Sequence, residues 1–124
     1  MIFLRNQRKI TAESDTIDMF RYYIDSHISE NIKLDFIANM AHMSLYHAIR
    51  TFKQKYGITP HQYIIDSKLK IAKTMLRSSN NSISEIAASL NFSDPHNFST
   101  LFQKHVGMRP TVYRKTQFIP SEND

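Results

Sequence analysis

The sequence predicts an all-α fold, and three observations carry that prediction. Glycine and proline are scarce, two and four in 124 residues, so few positions break a helix. Apolar residues recur at three- and four-residue spacing along most of the chain, the period of an amphipathic helix rather than a strand. One stretch is also written twice. SLYHAIRTFKQKYG at 44–57 and SDPHNFSTLFQKHVG at 93–107 each start at a serine, carry a histidine three places on, and end at one of the two glycines.

The elements follow in order. Ile17, Phe20, Ile24 and Ile28 mark an amphipathic helix over 15–28. Leu34, Ile37, Ala38 and Ala41 mark a short second helix. Leu45, Ala48, Phe52 and Tyr56 line one side of a third, which Gly57 ends as glycine does just past a helix C-terminus. Thr59-Pro60 then supplies a cap and a proline in the first turn, where its missing N–H is not needed. The helix from 60 to 77 carries two overlapping apolar sets, Ile65, Leu69, Ala72, Leu76 and Ile64, Ile71, Met75, as a helix packed on two sides would. SSNNS at 78–82 is the clearest internal loop. Ser82 and Glu85 have capping-box spacing ahead of Ile83, Ile86, Ala87 and Leu90. Phe98, Leu101, Phe102 and Val106 line the next helix, Gly107 stops it, and Arg109-Pro110 opens a last one to about Lys115.

Aligned, the halves match at an offset of 49 from Leu34/Ile83 to Ser44/Ser93, and at 50 from Phe52/Phe102 to Tyr63/Tyr113. The expected organisation is an N-terminal extension (1–14), a first subdomain (15–59), a linker helix (60–77), a second subdomain (78–115) and a tail (116–124).

Charge is unevenly spread. The chain carries +5 overall, yet residues 36–115 hold eleven Lys or Arg against three Asp or Glu. The basic region is the repeated region, which points to a polyanionic partner. No cysteine is present, which excludes disulfides and thiolate chemistry. The six histidines form neither HxxxH nor HExxH, so neither metal nor cofactor is expected. No nucleophile turn or phosphate-cradling glycine loop points to an enzyme. No apolar run reaches membrane-span length, and the expected setting is the cytoplasm.

A short helix, a tight turn and a longer helix make a helix-turn-helix, whose second helix lies in the major groove of double-stranded DNA. The turns are AHMS (41–44) and LNFS (90–93). His42 and Asn91 stand where a residue with positive φ is needed, and Met43 and Phe92 would plug the core. The face of the first long helix opposite its core holds Tyr46, Ile49, Arg50 and Lys53. Arg50 is the expected base reader, because a guanidinium can hold guanine O6 and N7 together. Tyr46 and Ile49 suit thymine methyls or sugar, and Lys53 suits phosphate. The matching face of the second helix holds His96, Ser99, Thr100 and Gln103. Ser44 and Ser93 are expected to cap the two helices beside phosphates. Lys55, Lys104, Arg109 and Arg114 complete the expected phosphate contacts. His47 and His96 share a repeat position, and either pack structurally or approach the DNA backbone.

The segments ISEIAASLNFSDPHNFSTLFQKHVGMRPTVYRK and LDFIANMAHMSLYHAIRTFKQKYGITPHQYI resemble the DNA-binding domain of the AraC/XylS family of bacterial transcription regulators. The resemblance implies seven helices, with two homeodomain-like helix-turn-helix subdomains reaching successive major grooves. It also implies a transcription regulator, expected to be an activator, with RNA polymerase as a partner. Binding as a monomer is expected if the chain is complete. Three departures from the family pattern stand out. His42 and Asn91 replace turn glycines, Thr100 stands where an arginine is common, and Ile49 where a polar residue is frequent. The first head is therefore expected to supply most direct specificity. The alternatives are a protein of the same fold acting through another regulator or polymerase, or the excised domain of an effector-responsive regulator.

Overall fold

The computed structural model describes residues 15–117, and every element among them is helical. The expected extension at 1–14 and the tail beyond 117 lie outside the described residues. Seven helices follow one another: α1 over 15–26, α2 (Leu34–Met40), α3 (Leu45–Tyr56), α4 (Pro60–Ser78), α5 (Ile83–Ser89), α6 (Pro95–Val106) and α7 (Pro110–Gln117). The last runs two residues into the expected tail.

Local chemistry sets the ends. Thr59 Oγ1 accepts from Gln62 N at 3.2 Å while Gln62 Oε1 accepts from Thr59 N at 3.0 Å, a reciprocal cap for α4. Ser82 and Glu85 form the same arrangement for α5, at 3.0 and 2.7 Å. Gly57 and Gly107 follow α3 and α6 in the left-handed region, at φ 84° and 96°, where a Cβ would be strained.

The chain divides into two compact units, with the boundary between Ile64 and Ile65 inside α4. The first core joins Ile17, Phe20 and Ile24 of α1 to Ile37, Ala38, Ala48, Phe52 and Ile64. The second joins Leu69, Ala72 and Leu76 of α4 to Ile86, Ala87, Leu90, Phe98, Phe102 and Tyr113. Along α4, Ile64 serves the first core, while Ile71 and Met75 of its set pack against the second together with Ile65, Leu69, Ala72 and Leu76. Each core centres on a fully buried phenylalanine with a tyrosine edge-on to it. Phe52 meets Tyr63 at 5.5 Å between ring centres, and Phe102 meets Tyr113 at 5.4 Å. Such pairs are preferred ring geometries beyond their area burial.

Lys68 is the one buried charged residue among those described. Burial pulls its ammonium below the ordinary lysine value, and its Nζ lies 5.5 Å from the centre of the Phe92 ring.

Candidate nucleic-acid interface

The tight turns take the expected form. His42 and Asn91 adopt φ of 57° and 58° and are the only described non-glycine residues with positive φ. Directly after them, Met43 N donates to Ala38 O at 2.9 Å and Phe92 N to Ala87 O at 3.0 Å. Met43 and Phe92 pack on the edge of their respective cores. Up to this point the two copies correspond at an offset of 49.

The copies diverge at the next step. Ser44 caps α3, its side-chain oxygen accepting from His47 N at 3.1 Å. Ser93 does not cap α6. Asp94 does, accepting from Asn97 N at 2.6 Å, with Pro95 in the first turn. Ser93 is the inserted residue of the second copy, so the capping expected of it is corrected to Asp94. A carboxylate at a helix N-terminus is favourable to the helix dipole but repels an approaching phosphate. The correction also re-pairs the histidines. From the caps onward the offset is 50, so Tyr46 corresponds to His96 and His47 to Asn97.

On α3, Ala48 and Phe52 are fully buried and the opposite face is open. Tyr46, Arg50 and Lys53 are exposed there, and Ile49 is half-buried. The Arg50 guanidinium lies 5.9 Å from the centre of the Tyr46 ring. Tyr46 is 72% exposed, and no carboxylate pairs with Arg50 among the described residues. An exposed guanidinium without a carboxylate partner leaves its planar donors available to an acceptor from outside. On α6, Phe98 and Phe102 are buried, His96, Thr100 and Gln103 are exposed, and Ser99 is half-buried. These four side chains and Arg109 line one concavity of about 350 Å³ with the start of α7.

Two further residues expected to meet phosphate have partners within their own units. Arg114 is occupied within its own unit: Nε donates to Leu76 O at 3.0 Å, and Nη2 to Ser79 O at 3.2 Å and Asn81 O at 2.7 Å. It satisfies a carbonyl in the last turn of α4 and two in the loop that follows, a structural role. Beside it, Arg77 donates to the Tyr113 hydroxyl at 2.8 Å. Lys55 pairs with Asp18 of α1 at 2.6 Å, and the Tyr56 hydroxyl donates to the same carboxylate. The Lys55 and Tyr56 bonds hold the Asp18 carboxyl below its ordinary value. Burial, then Asp18, pushes the Tyr56 hydroxyl up to about 12. Lys53, Lys104 and Arg109 are exposed, with no ion pair among the described residues.

Sequence reasoning missed Asp94, although Asp94-Pro95 carries the same cap-then-proline signal as Thr59-Pro60. It also missed Asp18, whose partners lie thirty-eight residues away or nearly so.

Two tight-turned helix pairs, each with an open face on its second helix, define a helix-turn-helix protein. Residues 37–116 match the family profile described as a helix-turn-helix domain, and the chain belongs to that family, of the AraC type. It is 35% identical to the bifunctional transcriptional activator and DNA repair enzyme AdaA of Bacillus subtilis over 103 residues, 83% of this chain and 49% of AdaA. It is 29% identical to the transcriptional activator RhaS of Escherichia coli over 109 residues, 88% of this chain and 39% of RhaS. The chain thus spans half or less of the length of these relatives. The portion shared with them is the helix-turn-helix domain, which is not catalytic. Among solved structures, it is similar to the C-terminal domain of AraT, a response regulator from Geobacillus stearothermophilus, at 30% identity and a TM-score of 0.81. That likeness covers 88% of this chain and 91% of the other. The DNA-binding domain of AdpA, solved in complex with a target DNA, is similar at 25% identity and a TM-score of 0.76, covering 81% and 90%.

Proposed function

We propose that this chain is a sequence-specific DNA-binding transcription regulator that inserts α3 and α6 into successive major grooves. The single observation that carries this reading is the outward face of α3. Arg50 is exposed there, close to the Tyr46 ring and followed one turn later by Lys53, on a helix whose other face is core. Arginine on such a face suits bidentate contact with guanine, and lysine suits phosphate. The excess of basic residues over 36–115 and the likeness to the AdpA domain that is bound to DNA support it.

Base contacts are assigned to Tyr46, Ile49, Arg50, His96, Ser99, Thr100 and Gln103, and phosphate contacts to Ser44, Lys53 and Lys104. AdaA and RhaS bear activator names, which favours activation and thus RNA polymerase as a protein partner. The α4 helix acts as the linker between the two readers, and the setting is the cytoplasm.

The test is selection of bound duplexes from a random pool with purified protein near physiological salt, about 0.15 M. Recovery of an asymmetric site with two blocks about 10 bp apart is expected. Failure to enrich any sequence over random duplex overturns the reading in favour of a protein-directed factor.

A further inference from the structure

The repeat allows described residues of the second unit to be compared with their counterparts in the first, and Arg109 fits its structural surroundings poorly. Its counterpart is Thr59, whose side chain closes the reciprocal cap on α4. Arg109 stands in the same position before α7, its carbonyl accepting the first intrahelical bond from Tyr113 N at 2.9 Å. A guanidinium has donors and no acceptor, so it cannot cap. Its charge also opposes the positive end of the helix. The side chain is exposed and makes no hydrogen bond or ion pair among the described residues. Nothing among the described residues of the unit explains an arginine there.

The concavity on the open face of α6 does. Arg109 lines it together with His96, Ser99, Thr100, Gln103 and Thr111, and contributes its only formally positive side chain. The first unit carries its arginine on the recognition helix itself, at Arg50. The second has Thr100 at that place and Asp94 at the helix start, leaving α6 without a guanidinium on its base-facing side. A residue that breaks a local rule beside a functional surface is expected to serve that surface.

We infer that Arg109 is the second unit's base-reading arginine, entering from the start of α7 to hold a guanine in the block that α6 covers. This inference rests on the DNA-binding reading above. It replaces the sequence-blind phosphate contact expected for Arg109. The guanidinium supplies two parallel N–H donors to the O6 and N7 acceptors, while the uncharged residues of α6 contact the neighbouring edges.

The test uses the site selected by the wild-type chain and three proteins: wild type, Arg109→Thr and Arg109→Lys. Affinities are measured on the selected duplex and on duplexes with single changes through the second block. Wild type is expected to lose about 5- to 150-fold when one guanine of that block is replaced. Arg109→Thr is expected to lose the same factor on the intact site and to be indifferent to that replacement. Arg109→Lys, which keeps the charge without the planar fork, should fall with Thr on base preference but keep the wild-type salt dependence. Thermal melting of Arg109→Thr should match or exceed wild type, since threonine restores an acceptor at the cap, so a failed fold does not confuse the result.

If Arg109→Thr weakens every duplex alike and the second block stays equally sharp, Arg109 is a phosphate contact and the inference fails. It fails equally if affinity does not change. A wild-type chain that selects no site at all refutes the DNA-binding reading itself, a different outcome visible before any variant is made.

Discussion

The two units share one backbone plan and differ in where charge meets the open face. Both turn through a non-glycine residue at φ near 57–58°, both plug the turn with the next side chain, and both stop the second helix at a left-handed glycine. Yet α3 begins at a neutral serine and carries Arg50 and Lys53 on its outer face, whereas α6 begins at Asp94 and carries His96, Thr100 and Gln103. One core position is shared, since Phe52 and Phe102 are both fully buried, and its neighbour is not, since Ala48 of the first unit answers to Phe98 of the second. The exposed faces differ at each matched position, with Tyr46, Arg50 and Lys53 against His96, Thr100 and Gln103. The backbone plan therefore tolerates changes on both faces of its second helix.

The largest expected effect strikes what the units share. Phe52→Ala or Phe102→Ala removes a fully buried ring from one core and should cost about 3–5 kcal/mol in chemical denaturation. Equal costs would confirm equivalent cores, and a large inequality would break the comparison at its root. Next comes the feature they do not share. Arg50→Ala should cost about 1–3 kcal/mol on a selected site, with relaxed base preference confined to the block read by α3. An unchanged preference would remove Arg50 from the readers.

Lys104→Ala should weaken binding to all sequences alike and lower the slope of log affinity against log salt by about 0.9, the share of one phosphate contact. Titration of binding against salt on specific and random duplexes checks this. A loss confined to one sequence would make Lys104 a reader instead.

The smallest effect concerns Asp18, paired with Lys55 and Tyr56 in the first unit, where the second unit has His105 3.5 Å from Asp66 and a valine at the tyrosine's place. Its folded pKa is depressed, so the stability it contributes is present above the ordinary value of 3.8 and lost as pH falls through the lower folded value. Tyr56 is raised, so its contribution is present below pH 10 and lost as pH rises towards about 12. Melting curves should therefore show Asp18→Asn less stable than wild type near neutrality. The difference should shrink as the solution is acidified below pH 3.8. A gap that stays constant with pH would mean that the carboxylate's charge is not what matters.

Most of the helical frame was legible because it is written in local signals. The glycines at 57 and 107, Thr59-Pro60 and the Ser82/Glu85 box each fix a helix end within a few residues of themselves. The open faces were legible for the same reason, since removing the core positions from a helix leaves the outward ones. What could not be read was tertiary. Nothing near Arg114 in the sequence announces that the carbonyls of Leu76, Ser79 and Asn81 converge on it. Nothing near Lys55 announces Asp18. The capping error had another origin: aligning the copies on their serines hid the inserted residue, although Asp94-Pro95 was the stronger local signal.

The Arg114 tether has a consequence for how far the chain can be trimmed. The final helix ties down the last turn of α4 and the loop after it through three carbonyls, and supplies Tyr113 both to the second core and to Arg77. A protease cut or premature stop just after Gly107 would thus do more than delete a peripheral turn. It would open a ring of unpaired carbonyls nearly thirty residues upstream and unseat the packing beneath α6. In hydrogen-exchange terms, the last turn of α4 and all of α7 should open together as one unit, though they lie far apart in the chain.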